Sequence, residues 1–215
     1  MTSLVPSEDT KKLLAQNTTR YQQNLAQTSD VLDYLLVERG LSLEAVEHFR
    51  LGYTGETPDV GDPRQRISIP YLTWAGVVQI RFRSMEANPD GFKYLGSEGA
   101  QTRLFNTKAL RLPHQTVYLT EGEMDAITCW MCGLPAIGVP GSHAWKAEYW
   151  RVFRYRRVIL LGDGDDAGKK FCDQVSRDLN ERMIETAVVE MPQGVDVNTL
   201  MTKGGTDAVR ELVGL

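Results

Sequence analysis

Val158-Ile159-Leu160-Leu161-Gly162-Asp163-Gly164-Asp165-Asp166-Ala167-Gly168 decides how the chain folds. A run of apolar residues ends abruptly in acids and glycines. A short apolar run closed by turn residues reads as an interior strand of a parallel sheet. Glycine lets the backbone turn sharply there and leaves room for a close approach. Asp163 and Asp165 stand two apart, so in an extended segment both carboxylates point to the same side. Two carboxylates aimed at one point repel unless a cation lies between them. Hard oxygen donors favour magnesium or manganese as that cation.

Upstream, Val117-Tyr118-Leu119-Thr120 runs into Glu121-Gly122-Glu123-Met124-Asp125, and a helix over 126–132 follows, stopped by Gly133. In an open α/β sheet, ligands bind outside the carboxyl ends of the strands, at the switch point. If the two strands are neighbours, Glu121, Asp163 and Asp165 form one acidic cluster, with Asp125 one helical turn behind Glu121. A lone D-G-D-D-A-G reads more simply as a solvated turn with an Asp helix cap. Two acid-tipped strands in one α/β unit reverse that preference.

The 215 residues suffice for one large domain or two small ones with a real core. The formal net charge of −4 neither demands nor excludes a nucleic-acid partner, since local patches decide. No apolar run has membrane-spanning length, and no secretory pattern follows Met1. A cytoplasmic protein is expected. Cys129 and Cys132 are spaced C-x-x-C, but they lie in a helical pattern without a second pair. They read as small helix positions in a reducing compartment rather than a zinc site, so no structural zinc is expected.

From the start of the chain, 7–27 reads as a helix capped by Ser7 or Asp9. Thr28-Ser29-Asp30 opens a second helix that stops at Gly40, and 43–49 a third. A loop covers 54–63. Arg66-Ile67-Ser68-Ile69-Pro70-Tyr71 and Val77-Val78-Gln79-Ile80-Arg81-Phe82-Arg83 alternate around Trp74-Ala75-Gly76, a hairpin signature. Asn88-Pro89-Asp90-Gly91 marks a turn, Lys93-Tyr94-Leu95 a short strand, and 96–112 is irregular.

The charge balance changes sign between Asp62 and Arg111. Arg64, Arg66, Arg81, Arg83, Lys93, Arg103, Lys108 and Arg111 outnumber Asp62, Glu86, Asp90 and Glu98. Tyr71, Trp74, Phe82, Phe92, Tyr94 and Phe105 are interleaved with them. Cations and ring faces along strands suit single-stranded nucleic acid. An antiparallel sheet with one charged face and one aromatic core face explains the same pattern.

From Thr116 onward the pieces 117–121, 124–132, 135–139, 145–154, 157–162, 166–183 and 186–191, with helix after Asp196, alternate strand and helix. This rhythm means an α/β domain with a mostly parallel sheet. Gly138-Val139-Pro140-Gly141-Ser142 is a tight turn that either presents backbone N–H groups to a phosphate or is a plain loop. Asp196 is either a further acidic ligand at the same edge or the cap of the last helix. His48, His114 and His143 show no ligand spacing.

E-G-E-M-D followed by D-G-D-D-A-G resembles the Toprim domain of DnaG-like primases, topoisomerases and some nucleases. Tyr34-Leu35, Glu38-Arg39-Gly40-Leu41, Phe49-Arg50-Leu51-Gly52-Tyr53, Arg66-Ile67-Ser68-Ile69-Pro70-Tyr71, Lys93-Tyr94-Leu95-Gly96-Ser97-Glu98 and Leu104-Phe105-Asn106 resemble the DnaG-like primase core, in the same order. The resemblance covers nearly the whole chain and is closest to a minimal, phage-type version.

It implies an α+β N-terminal subdomain over 1–112 and a Toprim-type α/β domain with a mostly parallel sheet over 113–215. It also implies a nucleotidyltransferase that makes short RNA primers on single-stranded DNA from ribonucleoside triphosphates. By the same resemblance Glu121, Asp163 and Asp165 hold two Mg2+ or Mn2+ ions, with Asp125 and Asp196 as supporting acids. Arg81, Arg83, Lys93, Tyr94, Arg103 and Lys108 match the family's nucleic-acid and nucleotide side. Lys169 and Lys170 either contact phosphate or form a solvated helix face.

Cellular members also carry a zinc module and a helicase-docking domain, and neither is expected within these 215 residues. Either this is a minimal primase, or those modules come from another chain, and the further partner then implied is a replicative helicase or a separate zinc-module chain. Asn198 stands where many members have a second Asp, which implies a weaker metal ligand. A metal-dependent Toprim nuclease, or a non-catalytic single-stranded DNA binding replication module, are the alternative readings.

Overall fold

A computed structural model describes residues 5–55, 65–86, 93–96, 101–111 and 115–215. Asn88-Pro89-Asp90-Gly91, Ser97-Glu98 and Asp62, Arg64, Phe92 and His114 fall outside the described residues. The fold is α/β, and the chain divides into two compact units, 1–101 and 102–215.

The first unit begins with α1 (Glu8–Ala26), whose Ser7 side chain accepts from Thr10 N. α2 (Ser29–Asp33) runs straight into a wider, π-helical turn (Tyr34–Glu38), and Ser42 caps α3 (Leu43–His48) by accepting from Ala45 N. β1 (Gly52–Tyr53), β2 (Arg66–Thr73), β3 (Gly76–Ser84) and β4 (Tyr94–Gly96) form an antiparallel sheet in that order. The expected hairpin is β2–β3, closed by Trp74 and Ala75 between the paired Thr73 and Gly76, with Gly76 at φ 97. α1 lies on this sheet, where Tyr21 packs with Val77, Ile80 and Phe82. Its ring meets that of Phe82 edge-on at 5.9 Å.

The second unit holds β5 (Thr116–Thr120), α4 (Glu123–Met131), β6 (Ala136–Gly138), β7 (Arg157–Leu161), α5 (Asp166–Asn180), β8 (Thr186–Val188) and α6 (Val197–Leu212). All strand pairs are parallel, in the order β6-β5-β7-β8. The strands are apolar on both faces, as a covered parallel sheet requires. Val117, Leu119, Val158 and Leu160 are buried on one face, and Tyr118 and Leu161 on the other. α5 buries Phe171, Cys172, Val175 and Leu179, one stripe at helical spacing. Phe105 exchanges backbone hydrogen bonds with Gly138. This is why 102–111, read from sequence as irregular, belong with the second unit.

The stretch 145–154, read as a helix, holds one 3₁₀ segment instead (Ala147–Phe153), and another precedes it (Ser142–Ala144). Trp145 adopts an extended backbone between them. Its ring is buried and its Nε1 donates to Asp178 Oδ2 at 2.8 Å. Core insertion of that side chain overrides the helical pattern. The three cysteines are buried free thiols. Among the described residues, no helix is long and apolar enough to cross a membrane.

Candidate active site

Strand order places the acids. β5 leads through α4 to β6 on one side, and the chain then returns past β5 to form β7 on the other. The switch point therefore lies between β5 and β7. Thr120 pairs with Leu161, so Glu121 and Asp163 leave neighbouring strands at the same edge. The backbone N–H of Asp163 donates to Glu121 Oε2 at 3.4 Å.

The loop after Asp163 is drawn in by glycines. A Cβ on Gly164 would lie 1.9 Å from Pro192 O, and one on Gly168 would lie 2.1 Å from Asp163 O. Gly164 N donates to Val195 O and Gly194 N to Gly164 O. These bonds bring the 192–196 turn, and with it Asp196, beside the Asp163 loop.

Electrostatics show that the acids act on one another. Burial, then Asp125, Glu121, Asp196 and Asp165, push the Asp163 carboxyl from the ordinary 3.8 up to about 8. Glu121 is also raised, by burial and by Asp165. The Asp163 N–H, the Ser142 side chain and His143 pull Glu121 the other way. Ser142 and His143 escape sequence reasoning, because only the fold of the Gly138–Ser142 turn brings them to Glu121. Nothing in the spacing of the three histidines signals it.

Each remaining acid has a structural bond as well. Asp165 caps α5, its Oδ1 accepting from Gly168 N at 2.8 Å. Asp196 caps α6, its Oδ1 accepting from Thr199 N at 2.6 Å. Among the described residues, neither cap engages the second carboxylate oxygen. Asp125 is buried on α4 and accepts from Asn198 N at 3.1 Å. Asn198 itself is buried and donates to Thr128 Oγ1 at 3.0 Å, so its side chain ties α6 to α4. Among the described residues, no three His, Cys, Asp or Glu side chains are grouped so as to hold a metal ion as they stand. The donor set nonetheless suits a hard divalent cation: all-oxygen carboxylates, mutually repelling, at one sheet edge.

The basic residues fall into two groups. In the first unit Arg66 is fully buried and donates to Lys93 O at 3.3 Å. Arg83 is also buried, its Nη1 bonded to Tyr94 Oη. Burial pulls the Arg83 guanidinium down, but Tyr94 and Tyr34 more than offset this and hold it raised. These two cations, counted from sequence on a basic face, serve the interior instead. Tyr71, Phe82 and Phe105 are likewise core residues rather than stacking surfaces. Arg81 lies over the half-buried Tyr94 ring at 4.7 Å, and Lys93 and Trp74 are exposed. In the second unit Arg103 is half-buried, while Lys108, Lys169 and Lys170 are exposed.

A Toprim-like family model matches residues 118–201, the stretch that carries all five acids. The gene 57 protein of Mycobacterium phage D29 is 39% identical over 153 residues, covering 68% of this chain and 97% of that protein. The DNA primase of Enterococcus faecalis is 26% identical, covering 84% of this chain and 36% of that protein. The chain belongs to the DnaG-like primase family. The zinc-binding and RNA polymerase domains of Aquifex aeolicus primase share its fold, with a TM-score of 0.79 at 21% identity over 97% of this chain and 61% of that one. This DnaG-like chain thus spans little more than a third of the length of the Enterococcus primase.

Proposed function

We propose that this DnaG-like chain is a DNA primase that synthesises short RNA primers on single-stranded DNA by metal-dependent nucleotidyl transfer. One observation carries the proposal: five acids from three segments meet at the switch point of a parallel sheet, where four of them act on Asp163, in a chain of this family. Glu121, Asp163 and Asp165 would hold two magnesium or manganese ions, with Asp196 at the rim. Bound ions supply activation of the primer 3′-hydroxyl and charge neutralisation at the incoming triphosphate.

The chain's own residues supply position. β5 and β7 fix Glu121 and Asp163, and the Asp163 N–H orients the Glu121 carboxylate. Asp125, held to Asn198 N, anchors the segment that presents Asp196. Lys169, in the first turn of α5, offers a cation to phosphate. Residues 1–101 would carry the template through Arg81, Lys93 and Tyr94, and 102–215 the chemistry, with Arg103 and Lys108 toward nucleotide. A replicative helicase and a zinc-module chain would be its partners in replicating cells.

The test is incubation with labelled ribonucleotides and mixed-sequence single-stranded DNA, in magnesium and in manganese, for wild type and Asp163→Ala. New short RNA from wild type alone supports the proposal. Shortened template without RNA would replace it with a nuclease. No product with either metal, even with a helicase and a zinc-module protein added, would overturn it.

A further inference from the structure

The acids occupy one edge of the parallel sheet; the opposite edge holds a cleft of about 900 Å³. It opens at the start of β5 and β7 and at the turn before β8, between Thr116, Arg157 and Ile184. Five-residue strands separate the two edges by about 16 Å.

Every cation lining the cleft is an arginine: Arg154, Arg156, Arg157 and Arg182. Arg151 joins them on the Trp150 ring. Three guanidiniums surround that ring, at 5.0 Å for Arg154 and 5.8 Å for Arg151 and Arg182. Arg157 pairs with Glu185 at 2.9 Å, and Arg182 reaches Glu181 at 3.8 Å. Among the described residues Arg151 and Arg154 have no carboxylate partner. Like charges gathered on one ring repel, and an anion relieves them.

Two large side chains at the cleft stand in water, a second observation. Tyr155 and Met183 both face the cleft, both are 96% exposed, and both hold a left-handed backbone, at φ 64 and φ 59. Met183 takes it in the turn that ends α5, where Ile184 N donates to Leu179 O, and Tyr155 takes it in the turn closed by Arg156 N on Phe153 O. The result is a tyrosine ring held clear of the surface between arginines.

We propose that this cleft binds single-stranded nucleic acid, a stretch of strand distinct from any at the acid cluster. The guanidinium fork matches phosphate with two parallel hydrogen bonds, where an ammonium offers a point charge. An open aromatic face next to such cations stacks a base of any sequence. An acidic peptide would use the charges but leaves the exposed ring without a role. The inference does not depend on the acids, and its test needs no metal.

The full chain is titrated with labelled oligothymidylate, in EDTA, over a series of salt concentrations, with binding followed by fluorescence anisotropy. The variants are Arg151→Gln with Arg154→Gln, and Tyr155→Asn; asparagine tolerates the left-handed backbone, and melting curves verify the fold. Loss of two phosphate contacts lowers the slope of log affinity against log salt by about 1.4. Tyr155→Asn weakens binding by about fivefold to a hundredfold, with the slope kept. Wild-type affinity and slope in both variants would overturn the inference. So would a polyglutamate peptide that displaces the strand as well as unlabelled oligothymidylate does, since that marks a site for acidic protein.

Discussion

Asp125 and Asn198, 73 residues apart, meet through a hydrogen bond from the Asn198 backbone N–H to Asp125 Oδ1, at 3.1 Å. With Asn198 Nδ2 on Thr128 Oγ1, it ties the start of α6 to α4 directly behind the acid cluster. Asn198→Ala removes the side-chain bond from a buried site and is expected to cost about 1–3 kcal/mol by urea unfolding. Asn198→Asp is expected to cost more at neutral pH. It cannot donate to Thr128, and it places a second carboxylate beside Asp125. Wild-type stability in Asn198→Ala would show that Asn198 does not do this work.

The Asp163 carboxyl gives the metal-free protein a pH dependence of defined sign. Its folded value, about 8, is above the ordinary 3.8, so the folded state binds the proton more tightly. That contribution to stability is whole below about pH 4 and is lost as pH rises through about 8. In EDTA, wild type is therefore expected to melt progressively lower than Asp163→Asn as pH rises from 4 to 8. Added magnesium is expected to narrow the gap, because a cation takes the place of the proton. Parallel melting temperatures across this range would contradict the cluster.

Gly164 and Gly168 are required for approach rather than for a special backbone angle. A Cβ at either would strike main-chain oxygen of the facing segment. Gly168→Ala is expected to lower stability by about 1–3 kcal/mol, since the α5 start must move off Asp163. It should lower metal binding with it, as melting and metal titration would show. An alanine variant with wild-type stability would place the loop elsewhere.

Much of this was legible from residues alone. Val158–Leu161 reads as an interior strand because a parallel strand is apolar on both faces, and the acids after it identify its carboxyl end. The hairpin follows from alternation around Trp74-Ala75-Gly76. What was not legible depends on tertiary partners. The burial of Trp145 breaks an otherwise helical pattern into 3₁₀ turns. Arg66 and Arg83 look like surface cations until Lys93 O and Tyr94 are seen to receive them. Ser142 and His143 reach Glu121 only through the turn after β6, and spacing along the chain holds no trace of that.

Arg83 and Lys93 separate interior from surface roles. Arg83→Ala removes a buried, hydrogen-bonded cation and is expected to cost about 1.5–3 kcal/mol, read by urea unfolding. Lys93→Ala, at an exposed position, is expected to stay within about 0.5 kcal/mol of wild type while weakening single-stranded DNA binding. The reverse pattern would return Arg83 to the nucleic-acid face.

The central claim is that Glu121, Asp163 and Asp165 hold divalent metal for the transfer chemistry. The most direct measurement counts bound Mn2+ by electron paramagnetic resonance in wild type, Asp163→Asn and Glu121→Gln, each first shown by its melting curve to be folded. Saturable Mn2+ binding in wild type, lost in both folded variants, is the predicted result. Equal binding in all three, or none in wild type, would contradict the account.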